Sequence, residues 1–157
     1  MKVFLGLGSN LGDRAYYLRA AISALAGPMI TIRVISRIYE TEPWGVMDQP
    51  LYWNQVLEIE TTLEPLQLLH YCQGIELQLG RERKVHWGSR TIDIDLLFYD
   101  NIVSETEELR LPHPLLEERE FVLAPLREIA PNLVLPSGRL ISEVSGEGKV
   151  YPLAPEN

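Results

Sequence analysis

A chain of 157 residues, 46% apolar and 23% charged, fits one domain large enough to bury a core. Its net charge of −8 argues against a general nucleic-acid surface, and no apolar run approaches a membrane span or a signal h-region. The single cysteine, Cys72, excludes an internal disulfide and suits a reducing compartment, so the protein is expected in the cytoplasm.

A first strand is expected over about 2–8, where Val3, Leu5 and Leu7 alternate with Phe4 and glycines. The run Gly6-Leu7-Gly8-Ser9-Asn10-Leu11-Gly12 imitates a dinucleotide fingerprint but carries Leu11 where that motif needs glycine. It also lacks the Gly-Lys-Ser/Thr of a Walker A loop, and reads as a tight strand-to-helix turn with unusual backbone angles at Asn10 and the glycines. A helix follows from near Asp13 to Ala26, with Leu18, Ile22 and Leu25 on one stripe and Gly27-Pro28 as its stop.

A second strand over about 29–39 places Ile30, Ile32, Val34 and Ser36 on one face. Residues 41–51 show no period and form a loop, and a third strand spans about 53–62. Glu64-Pro65 opens a second helix, since proline is tolerated where an N–H would be unpaired anyway. Leu68, Cys72, Ile75 and Leu79 form its buried seam, which makes Cys72 a packing residue rather than a catalytic thiol. Gln73 and Glu76, three residues apart, are expected as neighbours on a face away from that seam.

Residues 81–90 hold Arg81, Arg83, Lys84 and Arg90, four of the fourteen basic residues, opposed only by Glu82. A basic island on an acidic protein is what a polyphosphate site requires. The strand from Thr91 to Tyr99 then sends Ile92, Ile94 and Leu96 one way and Asp93 and Asp95 the other. At about 3.3 Å per residue the two carboxylates lie roughly 6–7 Å apart, a costly arrangement unless a cation sits between them. Mg²⁺ suits such a pair, because it takes one or two carboxylates and fills its other positions with water and phosphate oxygens.

The element order β-α-β-β-α-β predicts an α+β protein with a ferredoxin-like core, an antiparallel sheet with helices packed on it. A third helix over about 119–130 and short pieces from Leu133 to Val144 would form a C-terminal helical cap. Residues 1–157 read as a single domain whose tail, from about 145, is expected to be poorly ordered.

Several motifs run in order from residue 6 to about 136. They are Gly8-Ser9-Asn10-Leu11-Gly12, Tyr39-Glu40-Thr41-Glu42-Pro43-Trp44-Gly45, Asp48-Gln49-Pro50 and Tyr52-Trp53-Asn54. Gly80-Arg81-Glu82-Arg83, the Trp87-Gly88-Ser89-Arg90-Thr91 lead-in to the aspartates and Leu111-Pro112-His113-Pro114 complete the set. Together they resemble the hydroxymethyldihydropterin pyrophosphokinases, folate-pathway enzymes that move a pyrophosphoryl group from ATP to a pterin alcohol. Ser89 stands where the family usually has proline and His86 where arginine is usual.

The resemblance implies two Mg²⁺ ions at Asp93 and Asp95 and ATP as co-substrate. It places Gln73, Glu76, Arg83, Lys84, Trp87, Arg90, Leu96, His113 and Arg119 around the nucleotide. Tyr52 and Phe121 would sandwich the pterin, with Asn54 and the Thr41, Glu42, Pro43 and Trp44 backbone reading its edge and Trp87 at the junction. The pterin hydroxymethyl oxygen would attack the β-phosphorus and release AMP. Arg81 and Arg90 would stabilise charge, since their planar forks match phosphate oxygens, and Asp95 is the candidate proton acceptor. No nucleic-acid or membrane partner is expected, and the protein would be a monomer or weak homodimer. A non-catalytic ferredoxin-like module and another Mg-dependent nucleotidyl- or phosphotransferase are the competing readings.

Overall fold

A computed structural model describes residues 2–41, 51–80 and 91–153. β1 (Val3–Ser9) lies between β4 (Tyr52–Thr61) and β5 (Asp93–Tyr99), antiparallel to both. β2 (Ile30–Ile35) and β3 (Tyr39–Thr41) pair with successive parts of β4, as one strand broken at residues 36–38. Counting those two as one strand gives the order four, one, three, two, the antiparallel ferredoxin-like sheet that the element order predicts.

The break is filled by side chains. The Ser36 backbone carbonyl accepts from Gln55 Nε2 at 2.8 Å, while Ser36 Oγ accepts from the Val56 N–H at 2.9 Å. The register also shifts between Ile32 and Val34, so the expected single face of β2 is lost and Val34 and Ile35 are exposed.

Helices α1 (Arg14–Leu25) and α2 (Pro65–Gln78) cover one face of the sheet. Asp13 caps α1 by accepting from the Tyr16 N–H, and Gln67 reaches back to the Glu64 N–H at the start of α2. Leu18, Ala21 and Leu25 of α1 and Leu68, Cys72 and Ile75 of α2 pack against Val3, Leu5, Leu7, Leu57, Ile59, Ile94 and Leu96. Burial, then the charges of Glu76 and Asp95, push the Cys72 thiol up to about 12, in keeping with a packing role.

The other face carries a second core. Phe4, Val56, Leu97 and Phe98 meet Val122, Leu123 and Leu126 of α3 (Glu120–Ile129), with Leu135, Ile141 and Val144 beyond them. A register shift between Phe4 and Leu5 interrupts the alternation of β5, which is why Leu97 and Phe98 join the same core. A short hairpin of β6 (Ser104–Glu105) and β7 (Arg110–Leu111) lies beside β5.

Residues 146–153 pack against the sheet edge and the start of α3, where a loose tail is expected from about 145. β8 (Val150–Pro152) adds to the sheet edge on β3, and Glu147 bridges to Arg119. The β3 partners of β8 are more than a hundred residues away in sequence, so no local pattern marks that strand.

Phe4 is fully buried with its ring 4.8 Å from that of Phe98, joining the second core to the central strand. Phe4→Ala should destabilise the fold by about 3–5 kcal/mol, whereas Tyr16→Ala at a half-exposed ring should change little. Urea unfolding of the two variants checks the difference.

Candidate active site

β1 fixes the floor of the site. Its register sets Gly8 opposite Asp93 and Gly6 opposite Asp95, so two glycines face two carboxylates across neighbouring strands. Neither glycine has a left-handed backbone, and of the glycines in this turn only Gly12 does, at φ 72°. Gly6 and Gly8 therefore supply space within the strand, and the unusual angles expected through the whole turn are confined to Gly12. A Cβ on Gly8 would come within 3.0 Å of Asn54 Oδ1, while one on Gly6 would sit 3.4 Å from a Leu97 methyl carbon.

Beyond the end of the second core, this floor opens into a cavity of about 520 Å³. Asp93 and Asp95 line one side, Thr41, Tyr52 and Asn54 a second, and Arg119 and Phe121 a third. Asn54 and Thr41 are buried side by side, with Asn54 Nδ2 donating to Thr41 Oγ1 at 2.9 Å. That bond fixes the amide orientation and leaves Asn54 Oδ1 as an acceptor for a ring edge. The Arg119 guanidinium stands 5.4 Å from the centre of the Phe121 ring.

Other expected site residues fall elsewhere. Leu96 is 4% exposed in the core under α1 and α2, so its side chain faces away from the cavity. Gln73 is exposed but Glu76 is buried, so the two do not share an outer face. The carboxylate accepts from the Ile94 N–H at 2.9 Å, between the two aspartates, which accounts for its burial. The expected residues Glu42, Pro43, Trp44, Arg81, Arg83, Lys84, Trp87 and Arg90 lie outside the described residues.

His113 lies on the far side of the loop leading to α3, lining a separate depression of about 450 Å³. Its Nδ1 accepts from the Leu115 N–H at 3.1 Å, which assigns the ring proton to Nε2. Burial and then the Arg119 charge lower its pKa below the usual histidine value. Gln55, Gly6, Gly8, Leu97 and Val122 are among the other lining residues; the family resemblance implies only that the glycine turn borders the site, and the sequence does not mark Gln55, Leu97 or Val122. The one signal for the glycines was their spacing of two within a strand.

The family model of 7,8-dihydro-6-hydroxymethylpterin-pyrophosphokinase (HPPK) matches residues 4–131. The chain belongs to the HPPK family. It is 49% identical over 127 residues to the 2-amino-4-hydroxy-6-hydroxymethyldihydropteridine pyrophosphokinase of Bacillus subtilis, covering 80% of this chain and 76% of that one. To the enzyme of that name from Aquifex aeolicus it is 44% identical, covering 96% and 94% of the two chains. A "Bifunctional protein FolKE" of Lactococcus lactis is 47% identical, covering 80% of this chain and 36% of that one.

Among solved structures, one titled "Crystal Structure Analysis of the HPPK-DHPS in complex with substrates" matches with a TM-score of 0.69 at 15% identity. It covers 90% of this chain, which spans 42% of that chain's length, and at that identity it supports the fold alone. As an HPPK, the protein is an ATP-dependent pyrophosphokinase of folate biosynthesis whose substrates are ATP and a pterin. Among the described residues, no helix is long and apolar enough to cross a membrane.

The lowered His113 pKa has a stability consequence. Just below pH 6.5 the unfolded chain binds more protons at this site than the folded one, so stability rises with pH through that window. His113 therefore makes acidification from pH 7 destabilising until its folded pKa is passed. His113→Asn, whose side-chain oxygen can still accept from the Leu115 N–H, should flatten this slope. Chemical denaturation at several pH values between 5 and 7.5 measures it.

Proposed function

We propose that this HPPK transfers the pyrophosphoryl group of ATP to the hydroxymethyl oxygen of 6-hydroxymethyl-7,8-dihydropterin in a Mg²⁺-dependent reaction that releases AMP. The observation that carries the reading is the meeting of two carboxylates with an aromatic, amide-lined slot in one cavity. Nothing in a simple binding module requires that combination.

Tyr52 and Phe121 stack on the two faces of the pterin, and Asn54, held by Thr41, reads its edge. This places the hydroxymethyl arm toward the Asp93/Asp95 side. Among the described residues no group of three or more His, Cys, Asp or Glu could hold a metal. Two carboxylates fit Mg²⁺ that takes its remaining ligands from phosphate and water, so Asp93 and Asp95 would hold the two ions. Bound there, Mg²⁺ supplies charge neutralisation and orientation of the phosphate chain.

The attacking hydroxyl forms the new O–P bond at the β-phosphorus as the bond to the α-phosphate oxygen breaks, and Asp95 accepts its proton. On the sequence alone, Arg81 and Arg90 stabilise the transferred charge, while Arg83, Lys84 and Trp87 contact the nucleotide. Arg119 donates to the nucleotide from the third side of the cavity, and the Nε2–H of His113, which lines the neighbouring depression, contacts the part of the nucleotide that reaches beyond the cavity. Gln73 at the surface of α2 also serves the nucleotide, whereas Glu76 acts through the β5 backbone. The reading includes a cytoplasmic monomer or weak homodimer with no nucleic-acid or membrane partner.

Incubation with ATP, Mg²⁺ and the reduced pterin alcohol should yield AMP and the pyrophosphorylated pterin; ADP or pyrophosphate as the leaving product would overturn the proposal. Asp93→Ala and Asp95→Ala should each nearly abolish turnover in steady-state assays while retaining the folded circular-dichroism spectrum of the natural chain. Tyr52→Ala and Phe121→Ala should each weaken pterin binding by about 1–3 kcal/mol and ATP binding much less, as calorimetric titration of both ligands would show.

A further inference from the structure

We propose that residues 145–153 form a strap that positions the Phe121 wall of the cavity against its Thr41 wall. The inference rests on reading this cavity as the pterin site, and it concerns a segment beyond residues 4–131, where the family match ends.

α3 is secured unequally. Near its C-terminal end, Glu128 accepts from the Tyr39 hydroxyl at 2.8 Å and from the Arg37 N–H, which ties that end to β3. Its N-terminal end carries Arg119 and Phe121, and the Arg119 side chain makes no capping bond. The strap takes the place of the cap. The Glu120 N–H donates to the Glu147 carbonyl at 3.1 Å, and the Glu147 N–H donates to the Glu118 carbonyl at 2.8 Å.

Gly146 makes this contact possible. Its N–H donates to Glu120 Oε1 at 3.0 Å, and a Cβ there would fall 2.6 Å from the Glu120 nitrogen and 2.7 Å from the Arg119 carbonyl carbon. Gly146 has no left-handed backbone, so glycine is required by backbone-to-backbone approach rather than by conformation. Arg127 anchors the residue that leads into the segment, donating to the Val144 carbonyl and to Glu120.

Four residues later the same segment becomes β8 and pairs with β3, setting Val150 opposite Thr41 and Tyr151 opposite Glu40. The Leu153 N–H donates to the Ile38 carbonyl at 2.8 Å, and Arg37 donates to the Leu153 carbonyl at 2.7 Å. One short span of chain thus joins the turn before Phe121 to the strand that bears Thr41. An aromatic slot is sensitive to its width, and this link sets the width from the Phe121 side.

The test uses the full chain carrying Gly146→Ala or Tyr151→Pro, each alone and on a Phe121→Ala background. Tyr151→Pro removes an N–H that the register aims at Glu40, at a position whose side chain is 57% exposed, so it serves where Gly146→Ala fails to fold. Each strap variant should weaken pterin binding by about tenfold to a hundredfold, the scale on which an ångström of misplacement is felt. On the Phe121→Ala background the same change should add little, because the strap acts through that ring. Full additivity, or unchanged pterin affinity in a folded strap variant, would overturn the proposal. A ligand-free readout separates it from the functional reading. Exchange of the Glu120 amide should accelerate in Tyr151→Pro, and unchanged exchange sinks the strap. A wild-type protein that binds no pterin sinks the assignment of the cavity instead.

Discussion

The site depends on a single constraint, the burial of β1 on both faces and both edges. It pairs with β4 along one side and β5 along the other, and its side chains enter separate cores above and below the sheet. Such a strand cannot slip, since moving it by one residue would exchange the contents of the two cores. Fixed register is what sets each glycine against its aspartate. At the Phe4 end the second face is filled by α3; at the Gly6 and Gly8 end the absence of side chains leaves room for ligand. One strand therefore contributes both the anchor of a core and the floor of a pocket.

Charge is distributed to match. The protein is strongly acidic, yet Glu76 is drawn inward to bind the β5 backbone and the aspartates face the cavity. A buried carboxylate aimed at the peptide between Asp93 and Asp95 holds that peptide in place without adding another negative group to the open side. The carboxylate that supports the strand and the two that face the cavity thus come from different elements, α2 and β5.

Much of this arrangement was legible in the sequence because it follows local periods. Ile92, Ile94 and Leu96 against Asp93 and Asp95 gave the β5 faces, and the Leu68, Cys72 and Ile75 seam gave the buried side of α2. Features set by nonlocal geometry were not legible. The register shifts at Phe4/Leu5 and Ile32/Val34 overrode simple alternation, placing Phe98 inward and Val34 outward. The meeting of Thr41 with Tyr52 and Asn54 depends on the β3–β4 register, and the sequence led to it only through family resemblance. The i, i+3 spacing points Glu76 to an outer face, and nothing nearby in sequence announces the Ile94 N–H as its partner. β8 has no local signal for the same reason, being three residues that become a strand only against β3.

Cys72 has a practical corollary. A thiol fully buried beneath α2 and titrating near 12 presents almost no thiolate at neutral pH, so it is inert toward maleimides and mild oxidants while the fold holds. The natural chain is therefore already a background for site-specific labelling. A cysteine introduced at an exposed position would be the one reactive thiol, and a pair of dyes could report distances across the cavity during turnover without first replacing a core residue. The same thiol becomes reactive on unfolding, so its rate of alkylation in unlabelled protein would serve as a built-in gauge of global opening.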